Sequence, residues 1–146
     1  MLRSPLQHPE ILCALARAGH GSKVLIADGH FPASTTLGPN ARLVHLNLAP
    51  GNVGAVAILE VLAQAVALEK AEVMATLKTG PYALKGEPPI WKSFRKALAP
   101  AGVASLDPIA REGFYAAARS PDVALVIQSG ETAIYANVLL TVGVTR

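Results

Sequence analysis

Gly19-His20-Gly21-Ser22-Lys23-Val24-Leu25-Ile26-Ala27-Asp28-Gly29-His30-Phe31-Pro32 reads as a helix end, a turn, a short aliphatic strand and a sharply turned loop. Val24 to Ala27 is apolar without alternation, the pattern of a strand covered on both faces, and such strands belong to α/β sheets. Asp28 therefore falls where the strand leaves the core, and ligands of open α/β sheets collect at the carboxyl ends of strands. Gly29 allows the backbone to turn tightly behind it. His20 stands before the strand and His30 two residues beyond the aspartate, and histidine is the side chain best suited to moving protons near neutral pH. On local features alone Asp28 reads equally as a turn-forming or capping residue.

Outward from this strand, the chain alternates helical and extended patterns. Pro9 and Glu10 suit a first helical turn, and Ile11, Leu12, Leu15 and Ala18 form an apolar face that ends at Gly19, a candidate left-handed C-terminal residue. A loop rich in Pro, Gly, Ser, Thr and Asn runs from Gly29 to about Arg42, long enough to suggest function or a subunit contact. Leu43 to Leu48 alternates as a strand, with His45 on its more polar face. Val56, Leu59, Ala63 and Val66 recur at helical spacing within a helix over 53–67. Residues 69–77 suit a strand, although a helix fits the same residues. A loop over 78–89 precedes an amphipathic helix over 90–98 that carries Trp91, an anchor between layers or subunits. A short strand over 102–106, a helix over 109–119, a second buried strand over 123–127, a turn at Ser129-Gly130-Glu131 and a last strand over 137–141 complete the pattern. The expected fold is α/β, one domain over residues 1–146.

Composition narrows the function classes. The 146 residues suffice for one core without staples, and 51% are hydrophobic although only 5% are aromatic. That surplus of Ala, Leu and Val predicts apolar surface to bury between copies, hence a homo-oligomer. The formal net charge is +3, but the 13 Lys and Arg residues are scattered and no basic run interleaves with aromatics, so nucleic acid is not an expected partner. Cys13 is the single cysteine, so neither an internal disulfide nor a cysteine metal cluster is encoded; it reads as a small core residue. The N-terminus reads as no signal peptide and no segment as a membrane span, which makes the cytoplasm the default location.

Chemistry is constrained in the same way. There is no phosphate-binding Gly-rich loop and no dinucleotide fingerprint, so neither ATP nor NAD is expected, and a nucleophile elbow is missing. The four histidines, His8, His20, His30 and His45, lack the spacing of a helix-borne zinc site. His20, Asp28 and His30 could ligate a metal, but nothing marks an open coordination position, and neither metal nor cofactor is expected. What remains at predicted strand and helix ends is His20, Asp28, Arg111, Tyr115, Tyr135 and Asn137. These donors and acceptors, with one proton carrier, suit a polyhydroxylated guest such as a sugar. Taken singly, Arg111 also reads as a helix-surface charge, and the two tyrosines as residues of the core edge.

Four blocks resemble the RbsD/FucU sugar mutarotase family, which holds L-fucose mutarotases and D-ribose pyranases. They are Gly19-His20-Gly21 with Val24 to Ala33; Arg111-Glu112-Gly113-Phe114-Tyr115; Gly130-Glu131; and Tyr135 to Leu140 with Gly143-Val144-Thr145. They occur in family order across nearly the whole chain. The resemblance implies a three-layer α/β/α fold with a mixed sheet, assembled into rings, pentamers or decamers, with sites where subunits meet. It implies His20 as general acid, and Asp28, Arg111, Tyr135, Ala136 and Asn137 as contacts to a monosaccharide, with His30 or Tyr115 assisting. The implied reaction is cofactor-free interconversion of anomers. Asp28 to Pro32 and Arg111 to Tyr115 look like the L-fucose branch, whereas Ala136 looks like the D-ribose branch. Pyranose–furanose interconversion of ribose and a non-catalytic sugar-binding role are the rivals.

Overall fold

Val24 to Ala27 lies at the centre of a six-stranded sheet in the computed structural model, which describes residues 1–146. In chain order the elements are α1 (Pro9–Arg17), β1 (Lys23–Ala27), β2 (Arg42–His45), α2 (Ala55–Ala65), β3 (Leu68–Met74), α3 (Pro89–Leu98), β4 (Asp107–Ile109), α4 (Arg111–Ala118), β5 (Val123–Gln128) and β6 (Val138–Val142). The sheet order is β2-β5-β1-β6-β3-β4. β2, β5 and β1 are mutually parallel, β6 runs against both β1 and β3, and β4 is parallel to β3. Five strands thus point one way, and their carboxyl ends share one edge of the sheet with the start of β6.

Both faces of β1 are covered, which is why its sequence does not alternate: Val24 to Ala27 are at most 1% exposed. Helices α1, α2 and α3 pack on one face through residues such as Ile11, Leu59 and Phe94. On the other, α4 and the segment after β1 contribute Phe114, Ala118, Phe31 and Ala33 to a smaller cluster. The fold is the expected three-layer α/β/α arrangement with a mixed sheet, one outer layer much thinner than the other.

Several expectations are corrected, and others are narrowed. Gly19 is not the left-handed residue; α1 stops at Arg17, and the positive φ falls at Gly21 in the turn into β1. Cys13 is exposed, because it lies off the Ile11–Ala14 stripe that faces the core. No strand forms over 102–106: Val103 and Leu106 are buried by side-chain packing, but only residues 107–109 reach the β3 backbone. Residues 68–74 form a strand, since β6 offers an antiparallel ladder that local helix propensity cannot outweigh. The strand expected over 43–48 spans only Arg42–His45, with His45 exposed. Trp91 is a layer anchor, buried with its indole N–H donating to the Tyr135 carbonyl at 2.9 Å.

The Ser129-Gly130-Glu131 turn has a structural task. A Cβ on Gly130 would lie 2.5 Å from the Asn52 carbonyl oxygen and 2.6 Å from that of Ala49. Glu131 accepts the Ala55 N–H at 3.2 Å, placing an acid on the α2 N-terminus, whose own first turn holds none. Gly130→Ala is expected to destabilise the protein by about 1–3 kcal/mol, since backbone must move to admit the methyl. The check is a lower urea midpoint at unchanged m-value.

Candidate active site

Asp28 continues β1 by one residue at the shared edge, and although it ends the strand it stays buried, 4% exposed. Its Oδ1 accepts the His30 backbone N–H at 3.0 Å, and its Oδ2 accepts from Asn137 Nδ2 at 3.0 Å. Asn137 Oδ1 in turn accepts the Asp28 N–H at 2.7 Å, so the amide locks the aspartate from both ends. From the end of β5, Gln128 donates to the Asp28 carbonyl and Ser129 to that of Ala27. Gly29 is required by close approach: its Cβ would stand 2.9 Å from the Glu131 carbonyl oxygen. Burial pushes the Asp28 carboxyl above its ordinary pKa of 3.8, against the pull of the His30 backbone N–H and the nearby His30 ring.

In front of Asp28 opens a cavity of about 440 Å³, lined also by His30, Phe31, Met74, Tyr82, Arg111, Tyr115, Ile134, Tyr135 and Asn137. Arg111 and Tyr115 sit one turn apart on α4, and the Arg111 guanidinium lies 5.6 Å from the Tyr115 ring centroid. Tyr115 stacks on Phe31 with centroids 5.3 Å apart, which ties the arginine to the loop after β1. Arg111 opens α4, where the helix dipole disfavours a cation, and it takes part in none of the chain's five ion pairs. A free guanidinium held over the pocket against its local electrostatics is available to a polar ligand. The His30 ring points Nε2 at the Thr132 carbonyl, 3.2 Å away, and so donates there.

The structure therefore brings together Asp28, His30, Arg111, Tyr115, Tyr135 and Asn137, from positions up to 109 residues apart. Ala136 is fully buried and outside the cavity lining. His20 is not among them. It lies before β1, at the opposite end of the strand, with Nε2 2.9 and 3.1 Å from the Glu69 carboxylate oxygens. Eight residues of largely extended chain separate His20 from Asp28, on the order of 20 Å. The expected convergence of His20 with Asp28 does not occur within one chain, and His20, Asp28 and His30 form no common ligand set.

Sequence reading also missed residues. Met74, Tyr82 and Ile134 line the cavity, and Glu69 partners His20. Tyr82, a lone aromatic in a Gly-, Pro- and Lys-rich loop, carried a usable signal. Met74 and Ile134 carried none apart from the topology.

A mixed α/β sheet whose carboxyl edge holds a small, half-apolar cavity with a buried carboxylate and a free guanidinium defines a small-molecule site of the kind that handles compact polar ligands. The chain belongs to the RbsD / FucU transport protein family, whose pattern it matches over residues 1–145. It is 33% identical to the human fucose mutarotase over 148 residues, covering 95% of this chain and 90% of that protein. Its fold is similar to the Streptococcus pneumoniae fucose mutarotase solved with L-fucose, with a TM-score of 0.83 over the whole of both chains at 21% identity. It is also similar to Bacillus subtilis RbsD complexed with D-ribose, with a TM-score of 0.79 and 25% identity over the whole of both chains. No helix is long and apolar enough to cross a membrane.

Proposed function

We propose that the protein is a monosaccharide mutarotase of the L-fucose type, an isomerase that interconverts α and β anomers by transient ring opening. The observation that carries this reading is the cavity itself, in a chain that belongs to this family. A buried carboxylate and a free guanidinium line it together with apolar and aromatic side chains. A sugar ring has the same mixture, with hydroxyls at its edge and C–H groups on its faces.

The reaction delivers a proton to the ring oxygen and removes one from the anomeric hydroxyl. The bond from C1 to the ring oxygen breaks while a C1 carbonyl forms; rotation about C1–C2 and reclosure return the other anomer with protons restored. His20 is the general acid in this scheme, and Glu69 is the carboxylate that orients its imidazole. Asp28 and Arg111 hold hydroxyls so that the open chain recloses in place. Asn137 acts mainly through Asp28, because both ends of its amide are already engaged by that residue. His30 and Tyr115 are the candidates for the complementary base.

Since His20 stands at the far end of β1, it serves the cavity only from a neighbouring copy. That requirement supports a ring-shaped homo-oligomer, a pentamer or a decamer, with each site shared between protomers. Exposed Leu48, Ile134 and Val144 offer apolar surface for such contacts. The site as read needs no metal or cofactor, and we place the reaction in the cytoplasm, where free monosaccharides are metabolised.

NMR saturation transfer between the α and β anomer signals of L-fucose tests the proposal. Added protein is expected to raise the exchange rate in proportion to its concentration, and no acceleration with L-fucose or D-ribose overturns it. D-ribose in the same assay examines the second reading, which Ala136 favours; faster pyranose–furanose exchange of ribose than anomer exchange of fucose would install that reading instead.

A further inference from the structure

The segment between β3 and α3 is attached to the rest of the molecule in an unusual way. No residue from Ala75 to Glu87 is buried. From Thr76 to Gly86 the backbone bonds within the loop are Ala83 to Gly80 and Leu84 to Leu77. The only hydrogen bonds leaving this stretch both end on one atom. The Leu77 N–H donates to the Tyr135 hydroxyl at 3.0 Å, and that hydroxyl donates to the Tyr82 carbonyl at 2.7 Å. A single phenol thus closes the base of the loop and fixes its tip.

Tyr135 is held in place for this purpose at a backbone cost. Its φ is 57°, in the left-handed region that glycine occupies more cheaply than tyrosine. Its carbonyl is gripped by the Trp91 indole at 2.9 Å, and its ring is buried. The tip it fixes carries Tyr82, a residue that is 61% exposed and yet lines the cavity. Tyr82, Ile134 and Met74 line the same cavity as Asp28 and Arg111, so a guest there meets aromatic and apolar side chains as well as hydrogen-bonding groups.

We propose that the Tyr135 hydroxyl is the positioning group that holds the 76–86 loop against the cavity, and that Tyr82 is the specificity-determining wall, favouring sugars whose facing edge is deoxygenated. The second half rests on the monosaccharide reading. A methyl against an aromatic ring leaves no polar group unpaired, whereas a hydroxyl at the same place would lose its water without gaining a partner. Tyr135 thereby contributes through its hydroxyl to the loop, rather than as a hydroxyl contact to the sugar.

The test combines amide hydrogen exchange with anomer exchange on the full-length protein. In Tyr135→Phe, the amides of Leu77 and residues 78–84 are expected to exchange about 5- to 30-fold faster, as loss of one or two modest hydrogen bonds dictates, while β1 and β6 amides keep their wild-type rates. The KM for L-fucose is expected to rise about tenfold with a smaller change in kcat. Tyr82→Ala should lower the ratio of kcat/KM for L-fucose over L-galactose, which differs by a hydroxyl on C6, by about tenfold. Unchanged loop exchange in Tyr135→Phe refutes the positioning role, as does loosening that spreads to β1 and β6. An unchanged sugar ratio in Tyr82→Ala refutes the wall. If the wild-type protein accelerates neither sugar, the monosaccharide reading and the wall fall together, and the amide rates still decide the role of the Tyr135 hydroxyl.

Discussion

His20→Gln is expected to lower L-fucose anomer exchange about 100- to 10,000-fold, the usual worth of a positioned general acid. At 1.36 kcal/mol per tenfold this is about 3–5 kcal/mol of transition-state stabilisation. The side chain is 58% exposed and its only partner is the half-exposed Glu69 carboxylate. Pairs so open to solvent contribute little to folding, so the thermal midpoint should hardly move. The loss should fall on kcat with KM nearly preserved, because the hydroxyl-holding contacts are assigned to Asp28 and Arg111 and not to His20. A variant that keeps the wild-type rate removes His20 from the mechanism.

Asp28→Asn is the second large effect, with an expected loss of at least about 100-fold in kcat/KM. The carboxylate only accepts, and it accepts from the His30 N–H and the Asn137 amide at once. An asparagine there must turn its own NH2 toward one of those donors, which breaks the lock and withdraws the charge that would hold a sugar hydroxyl. The pH dependence follows from burial. Asp28 takes up its proton above the ordinary 3.8, so the wild-type rate is expected to fall on acidification with a midpoint above that value. In Asp28→Asn the residual activity should lack that limb. The sign for stability is opposite: the folded chain holds this proton to higher pH than the unfolded one. The contribution of Asp28 is therefore fully present below 3.8 and is lost as the pH rises through its raised folded value.

Combining the two variants decides where His20 acts. If each site takes Asp28 from one copy and His20 from the next, random one-to-one co-assembly of His20→Gln with Asp28→Asn regenerates about a quarter of the sites, since half the copies carry each intact residue. Each variant alone keeps only its low residual rate. A mixture no more active than its parts would place His20 outside the site.

Much of this was readable in the chain itself. Val24 to Ala27 announces a doubly covered strand, because burying both faces leaves no position for a polar side chain, and Asp28 marks where that apolar run ends. Arg111 and Tyr115 are four residues apart on a helical pattern, so their shared face is a consequence of helix geometry. The family blocks added the remaining site positions in order. Register at element ends was less legible: residues 102–106 have strand-like side chains, yet the ladder begins at Asp107, where β3 offers free backbone.

Which of those residues meet was left to the tertiary structure. β1, β3, β4 and β5 are carried in one direction while β6 is reversed, so Asp28, Met74, Arg111 and Asn137 arrive at a single edge. His20, only eight residues from Asp28, is sent to the opposite one. A strand advances about 3.3 Å per residue, so proximity in sequence becomes distance in space along it, whereas hydrogen bonding across the sheet turns distance in sequence into contact. The same logic hid the second role of Tyr135: nothing in Tyr135-Ala136-Asn137 shows that its hydroxyl reaches back to Leu77 and Tyr82, because that reach exists only once β6 lies beside β3.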